Sequence, residues 1–202
     1  MKTLIIVDVQ NDFMPGGALE VPEGDAIIPV INDIQSRFDL VVATQDWHPP
    51  AHNSFATNHP DKEPMEKITW KGIEQILWPD HCVQGTSGAE FFPLLNTNPV
   101  ETIFRKGMDV DIDTYSGFFD NGHKKDTGLA GYLKSRGADE LYVCGLAADV
   151  CVYFTLLDAV DAGFNVTLIM DATKAIDDNS FLKQQERLKK IGVKLLRANE
   201  IV

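Results

Sequence analysis

The chain is short of cysteine, short of positive charge and without a long apolar run, and each shortage excludes something. Three cysteines, Cys82, Cys144 and Cys151, stand in 202 residues and none belongs to a Cys-x-x-Cys pair. Their odd number argues against a disulfide framework. No apolar stretch approaches the ~18 residues of a membrane-spanning helix, and Met1-Lys2 runs straight into the strand-like TLIIVDV without a signal peptide. Lys and Arg number 18 against 30 Asp and Glu, a formal charge of -12. With no basic patch to offset it, that balance argues against nucleic acid or an anionic membrane as partner. No G-x-G-x-x-G run follows a strand, so the dinucleotide-binding fingerprint is missing too. The expectation is a cytoplasmic protein.

What is present suits a packed globular fold, with 44% hydrophobic and 24% charged residues. The length fits one domain, expected over residues 1–202. Runs at 3–9, 40–46, 101–107, 140–145, 165–171 and 192–198 are short and rich in β-branched residues, and several are apolar on both faces. Helical patterns cover 24–38, 125–137, 149–163 and 179–192, and Gly137, Gly163 and Gly192 close three of them. Strands apolar on both faces that alternate with helices predict an α/β fold, an open parallel sheet covered on both sides. Residues 46–99 break the rhythm, with little periodicity but four of the five histidines and all three tryptophans. A long irregular insertion in a compact domain is usually functional or disordered. That content favours function.

Three residues stand out of place. Asp8 ends the apolar run LIIV, and a carboxylate there is either paired in a site or caps the next turn; left alone it would be desolvated at a cost of several kcal/mol. Lys106 repeats the pattern at the end of ETIFRK, where a lysine can also simply reach water. Cys151 opens an apolar helix; with Asp149 as N-cap it falls at the second helical position, where free N–H groups lower a thiol pKa. The alternative is a small hydrophobe in a buried helix. All three lie at or just beyond carboxyl ends of strands, where ligands bind in open α/β sheets. Together they read as a base, an electrostatic support and a nucleophile.

The insertion adds TQDWHPPAHNSF and WPDHC, which bring Asp46, His48 and His81. Two imidazoles and one carboxylate suit a first-row divalent ion with coordination positions left open. Pro49 and Pro50 prevent a helical His48/His52 pair, so His52 is treated as a group behind the ligands.

Taken in order, DVQNDF with PGGAL, TQDWHP with SFA, WPDHCVQGTSGAEF, RKG followed by YSGF, and CGLAADVCV resemble the nicotinamidase/pyrazinamidase branch of the isochorismatase-like cysteine hydrolases. The match spans residues 8–152. The resemblance implies a six-stranded parallel sheet in a three-layer sandwich, and hydrolysis of nicotinamide to nicotinate and ammonia, with pyrazinamide as a second substrate and NAD salvage as the setting. It assigns a catalytic triad to Asp8, Lys106 and Cys151, and ligands of one divalent ion to Asp46, His48 and His81, zinc foremost and iron or manganese as alternatives. It makes 46–99 a metal-binding insertion. It places Phe13, Trp78 and Tyr115 around the substrate ring and a cis peptide between Leu146 and Ala147, with the N–H groups of Ala147 and Cys151 facing the oxyanion. Some relatives carry an additional metal-binding histidine, and whether His52 is one is open in the sequence. A homo-oligomer is compatible with all of this.

Competing readings fare worse on the same residues. An aspartyl-phosphate phosphatase wants a second acid two residues after Asp8, where Gln10 stands. A vinyl-ether hydrolase of the isochorismatase type would not need the cysteine. A thiol amidohydrolase for another small amide or carbamoyl compound is the nearest alternative, and a metal-bearing binding protein with an inert Cys151 the non-enzymatic one.

Overall fold

A computed structural model describes residues 1–201; residue 202, where the expected domain ends, lies outside the described residues. The central sheet uses β1 (Lys2–Val7), β2 (Leu40–Asp46), β5 (Val100–Lys106), β6 (Glu140–Gly145), β7 (Asn165–Thr173) and β8 (Lys194–Leu196), while β3 (Lys67–Trp70) and β4 (Ile73–Ile76) form a separate hairpin. The six strands pair in parallel in the order β5-β2-β1-β6-β7-β8. Their ends differ from the expected ones by no more than two residues.

Period-two alternation in β1 explains the layering. Leu4 and Ile6 point to the side of α1 (Ile28–Ile34), packing with Ile27, Ile31 and Ile34. Ile5 and Val7 point to the opposite side, among Leu129 and Leu133 of α2 (Leu129–Ser135), Leu156 of α3 (Cys151–Asp161) and Leu188 of α4 (Asp178–Lys190). Both faces are covered, as the doubly apolar strands require.

Two helices fall furthest short of their patterns. The first is an α-helical segment between 3₁₀ turns at Gly24–Ile27 and Gln35–Arg37. The second starts only at Leu129, because Gly128 takes the left-handed conformation at φ 88°. The insertion holds the hairpin, which the sequence reading had not foreseen. Lys71 and Gly72 connect its strands with φ of 48° and 84°, both positive, as a two-residue hairpin turn favours. Lys-Gly is a weaker signal for that turn than Asn-Gly.

Chain order positions the site. From β1 the chain moves outward through β2 to β5, then returns to the other side of β1 as β6. The crevice between the carboxyl ends of β1 and β6 is the switch point of an open sheet, the place where ligands bind. Among the described residues no helix is long and apolar enough to cross a membrane.

Gly145 closes β6 beside β1 with φ 110°, and a Cβ there would stand 2.0 Å from the Val7 carbonyl oxygen. Gly131 lies inside α2 with nothing within 4 Å of a Cβ. Gly145→Ala is expected to cost about 3 kcal/mol or more, while Gly131→Ala stabilises by about 0.5–1 kcal/mol through helix propensity. Urea denaturation midpoints check both; equal effects would overturn the close-approach argument.

Candidate active site

Asp8 follows β1, Asp46 ends β2, Lys106 ends β5 and Cys151 opens α3 after β6. Parallel strands carry these four side chains, distant in sequence, to one edge of the sheet. All are buried. The Lys106 ammonium lies 2.9 Å from Asp8 Oδ2 and 3.0 Å from Asp46 Oδ1, donates to the Thr114 carbonyl at 2.9 Å, and reaches Cys151 Sγ at 3.4 Å. The Thr44 hydroxyl donates to Asp8 Oδ1 at 2.6 Å. Asp8 is thus paired, and Lys106 does not reach water.

The electrostatics follow from burial and proximity. Burial alone would push the lysine down, but Asp46, Asp8 and Cys151 hold it well above the ordinary lysine range. Burial raises Asp8 even against the attraction of Lys106. Burial also pushes the Cys151 thiol well above its usual value, with Lys106 opposing and Asp8 and Asp46 reinforcing. The expectation of a thiol pKa lowered by its helix end is therefore corrected. Desolvation and two carboxylates outweigh the helix N-terminus.

The expected cap is corrected too. Val150 is the N-cap and Cys151 the first helical residue. The Asp149 carboxylate instead accepts the N–H groups of Ile176 (2.9 Å) and Asp177 (3.0 Å), tying the loop after β7 to the start of α3. The Leu146–Ala147 peptide is cis, as anticipated.

Beside this cluster Asp46, His48 and His81 converge, all buried, with ligand atoms within 4.8 Å of one another. His81 Nε2 stands 3.6 Å from Asp46 Oδ2 and His48 Nε2 3.7 Å from Asp46 Oδ1. The His81 Nδ1–H donates to the Pro79 carbonyl at 2.8 Å, which leaves its Nε2 lone pair for a cation. A carbonyl behind an imidazole is the usual support of a metal-ligating histidine. Two imidazoles and a buried carboxylate fit a first-row divalent ion. Burial acts to raise Asp46, yet His48, Lys106 and His81 hold it far below the carboxylate range. It stays ionised.

Between the two clusters lies a pocket lined by Phe13, Trp78, Tyr115 and Ala147 together with Asp46, His81 and Cys151. Trp78 donates its indole N–H to the Tyr115 hydroxyl at 3.3 Å. The structure thus brings together the residues singled out from the sequence; His52 is buried against His48 with ring centroids 4.5 Å apart, and ligand atoms of His48, His52 and Asp113 lie within 4.8 Å of one another. His52 Nδ1 meets the Ser54 hydroxyl at 2.7 Å, and burial lowers its pKa to about 4. Leu19, Asp113, Val150 and Ile176 also line the pocket and were missed. Leu19 and Ile176 sit in loops without periodicity, and Val150 fell inside the helical pattern as one more apolar residue. Asp113 is one of three alternating acids, Asp109, Asp111 and Asp113, with nothing in the pattern to mark it. A wider cleft of about 460 Å³ continues outward from Trp78, Tyr115, Val150 and Ile176.

The isochorismatase domain model matches residues 2–200. The nicotinamidase of Acinetobacter baylyi is 49% identical over 98% of this chain and 94% of its own length. Among solved structures, the nicotinamidase/pyrazinamidase of Acinetobacter baumanii superposes with a TM-score of 0.97 at 48% identity, covering 100% of this chain and 98% of that one. The yeast nicotinamidase bound to the inhibitor nicotinaldehyde gives 0.92 at 36% identity, covering 98% and 100%. The pyrazinamidase of Pyrococcus horikoshii in complex with zinc gives 0.80 at 39%, covering 97% and 98%.

The thiols generate a test. Cys151 lines the pocket, whereas Cys82 and Cys144 are fully buried elsewhere. On metal-stripped protein, iodoacetamide is expected to label Cys151 first, by peptide mass spectrometry. Because burial raises its pKa, the thiolate fraction grows with pH and the rate should still climb from about pH 7 to 9. A plateau below that range would contradict the raised thiol.

Proposed function

The chain belongs to the isochorismatase family and is a nicotinamidase, and from that premise we propose that it hydrolyses nicotinamide by covalent thiol catalysis at Cys151. The observation that carries the mechanism is the 3.4 Å approach of the buried Lys106 ammonium to the Cys151 sulfur while it pairs with Asp8. Asp8, made a stronger base by burial, takes the thiol proton as sulfur attacks the carboxamide carbon. Lys106 stabilises the forming thiolate. The N–H groups of Ala147 and Cys151 receive the oxyanion, each donor contributing about 2.7–4 kcal/mol in comparable acyl transfers. The C–N bond breaks as Asp8 returns the proton to departing ammonia, leaving a thioester. Water, giving its proton to Asp8, cleaves the thioester to nicotinate and frees the sulfur.

Asp46, His48 and His81 would hold one divalent ion, zinc before iron or manganese. That ion would supply a Lewis-acidic anchor for the pyridine nitrogen. Phe13, Trp78 and Tyr115 border the ring, as their place on the pocket wall supports. Residues 46–99 act as the metal- and ring-binding insertion of a single domain. Pyrazinamide, with a nitrogen in the same ring position, is a second substrate. We place the activity in the cytoplasm, in pyridine nucleotide salvage, with a small amide rather than a membrane or nucleic acid as its partner.

Cys151→Ala is expected to lower ammonia release from nicotinamide by at least about a thousandfold with the fold intact, and added hydroxylamine should trap the nicotinoyl group from the wild type only. Normal turnover by the variant would end the covalent mechanism. The anchor is tested by comparing nicotinamide with benzamide, which lacks the ring nitrogen. His48→Ala, or metal removal, should depress kcat/KM for nicotinamide heavily and for benzamide little. Equal losses would assign the ion to water activation or structure.

A further inference from the structure

Asp113 is a buried carboxylate whose surroundings are not those of an ordinary loop acid. Its neighbours in the alternation pair near the surface, Asp109 with Lys125 and Asp111 with Lys71. Asp113 instead turns inward and is 4% exposed. Its Oδ1 accepts the Thr114 N–H at 2.8 Å, and its Oδ2 accepts the Gln75 side-chain amide of β4 at 3.1 Å. Two elements therefore hold the carboxylate in one orientation. That orientation aims Oδ1 at His48 Nε2, 3.3 Å away.

The same His48 nitrogen already faces Asp46 Oδ1 at 3.7 Å. A neutral imidazole with its Nε2 lone pair turned into this space is repelled by both carboxylates, unless a cation lies among them. Charge counting leads to the same place. Asp8 and Lys106 neutralise each other, so a divalent ion on Asp46 and two neutral imidazoles would leave one uncompensated positive charge in a buried site. Asp113 supplies the missing negative charge. The number of anionic groups at a centre tunes its affinity, and groups that support ligands typically matter 10–100-fold.

We propose that Asp113 is the second carboxylate of the metal centre, a positioning residue that balances the divalent cation and orients His48 from a mount provided by Thr114 and the β3–β4 hairpin. This rests on the reading of Asp46, His48 and His81 as ligands. It also gives the hairpin a task, since Gln75 joins it to the centre through Asp113.

The test is zinc affinity of the metal-stripped full chain, by competition with a chromogenic chelator. Asp113→Asn is expected to bind zinc about 10–100-fold more weakly than wild type. Asp113→Glu keeps the charge and should recover most of that loss, whereas a role in packing alone would leave the longer side chain as impaired. Asp120 is also buried, but accepts the N–H groups of Gly122, Lys124 and Lys125 in the neighbouring turn. Asp120→Asn should lower the melting temperature and leave zinc affinity unchanged. Wild-type affinity in Asp113→Asn overturns the proposal, as does an equal loss in Asp120→Asn. Failure of wild type to bind zinc overturns the ligand reading itself, a separate result because it does not depend on any variant.

Discussion

A fully buried ammonium sits at the centre of this molecule. Lys106 is held between Asp8 and Asp46 and lies against the Cys151 sulfur. A lone charge in that position would cost several kcal/mol. Two carboxylates and the Thr114 carbonyl make it tolerable, and each of its side-chain partners is also a member of the reacting cluster or the metal cluster. Asp46 therefore belongs to both, facing Lys106 through Oδ1 and His81 through Oδ2. Removing Lys106 would leave two buried carboxylates facing each other and the sulfur. The fold and the chemistry share this one ion.

The rest of the architecture keeps that ion dry and its partners aligned. β1, β2 and β5 are adjacent and parallel, so their carboxyl ends bring Asp8, Asp46 and Lys106 to the same edge. β6 lies on the other side of β1 and delivers Cys151 after a tight turn at Gly145. The insertion covers the edge with Trp78 and His81, and Gln10 stitches it to the sheet by donating to the Asp46 and Ala89 carbonyls. Burial then acts twice. It raises both Asp8 and the thiol, so Asp8 is a stronger base than an ordinary aspartate while the sulfur holds its proton more tightly than an ordinary cysteine. The thiol rests protonated and is activated only as its proton leaves.

Much of this was legible in the chain. Asp8, Asp46 and Lys106 interrupt or end apolar strands, and a charge that ends a buried strand must find a partner. Cys151 stood at a helix start, and the histidines crowded into a segment without periodicity. Short-range patterns of this kind carry over because they report on the residue's own backbone and immediate neighbours. Asp149 and Asp113 show the limit. Asp149 looked like a helix cap, yet its carboxylate serves two N–H groups from a loop 27 and 28 residues away. Asp113 is one of three alternating acids that nothing in the sequence tells apart, and what separates it from Asp109 and Asp111 is that it turns inward.

The sequence by itself determined the α/β rhythm, the strands nearly to the residue, and which side chains were too polar for their surroundings. Those follow from local periodicity and from the cost of burying charge, both of which can be read along the chain. Only the tertiary structure decided the protonation of the thiol, the hairpin within the insertion, the partner of Asp149 and the place of Asp113 beside His48. Each of these depends on summed desolvation and on pairs far apart in sequence. A pKa set by Lys106, Asp8 and Asp46 together exists only once three parallel strands and a helix have brought the four groups to one point.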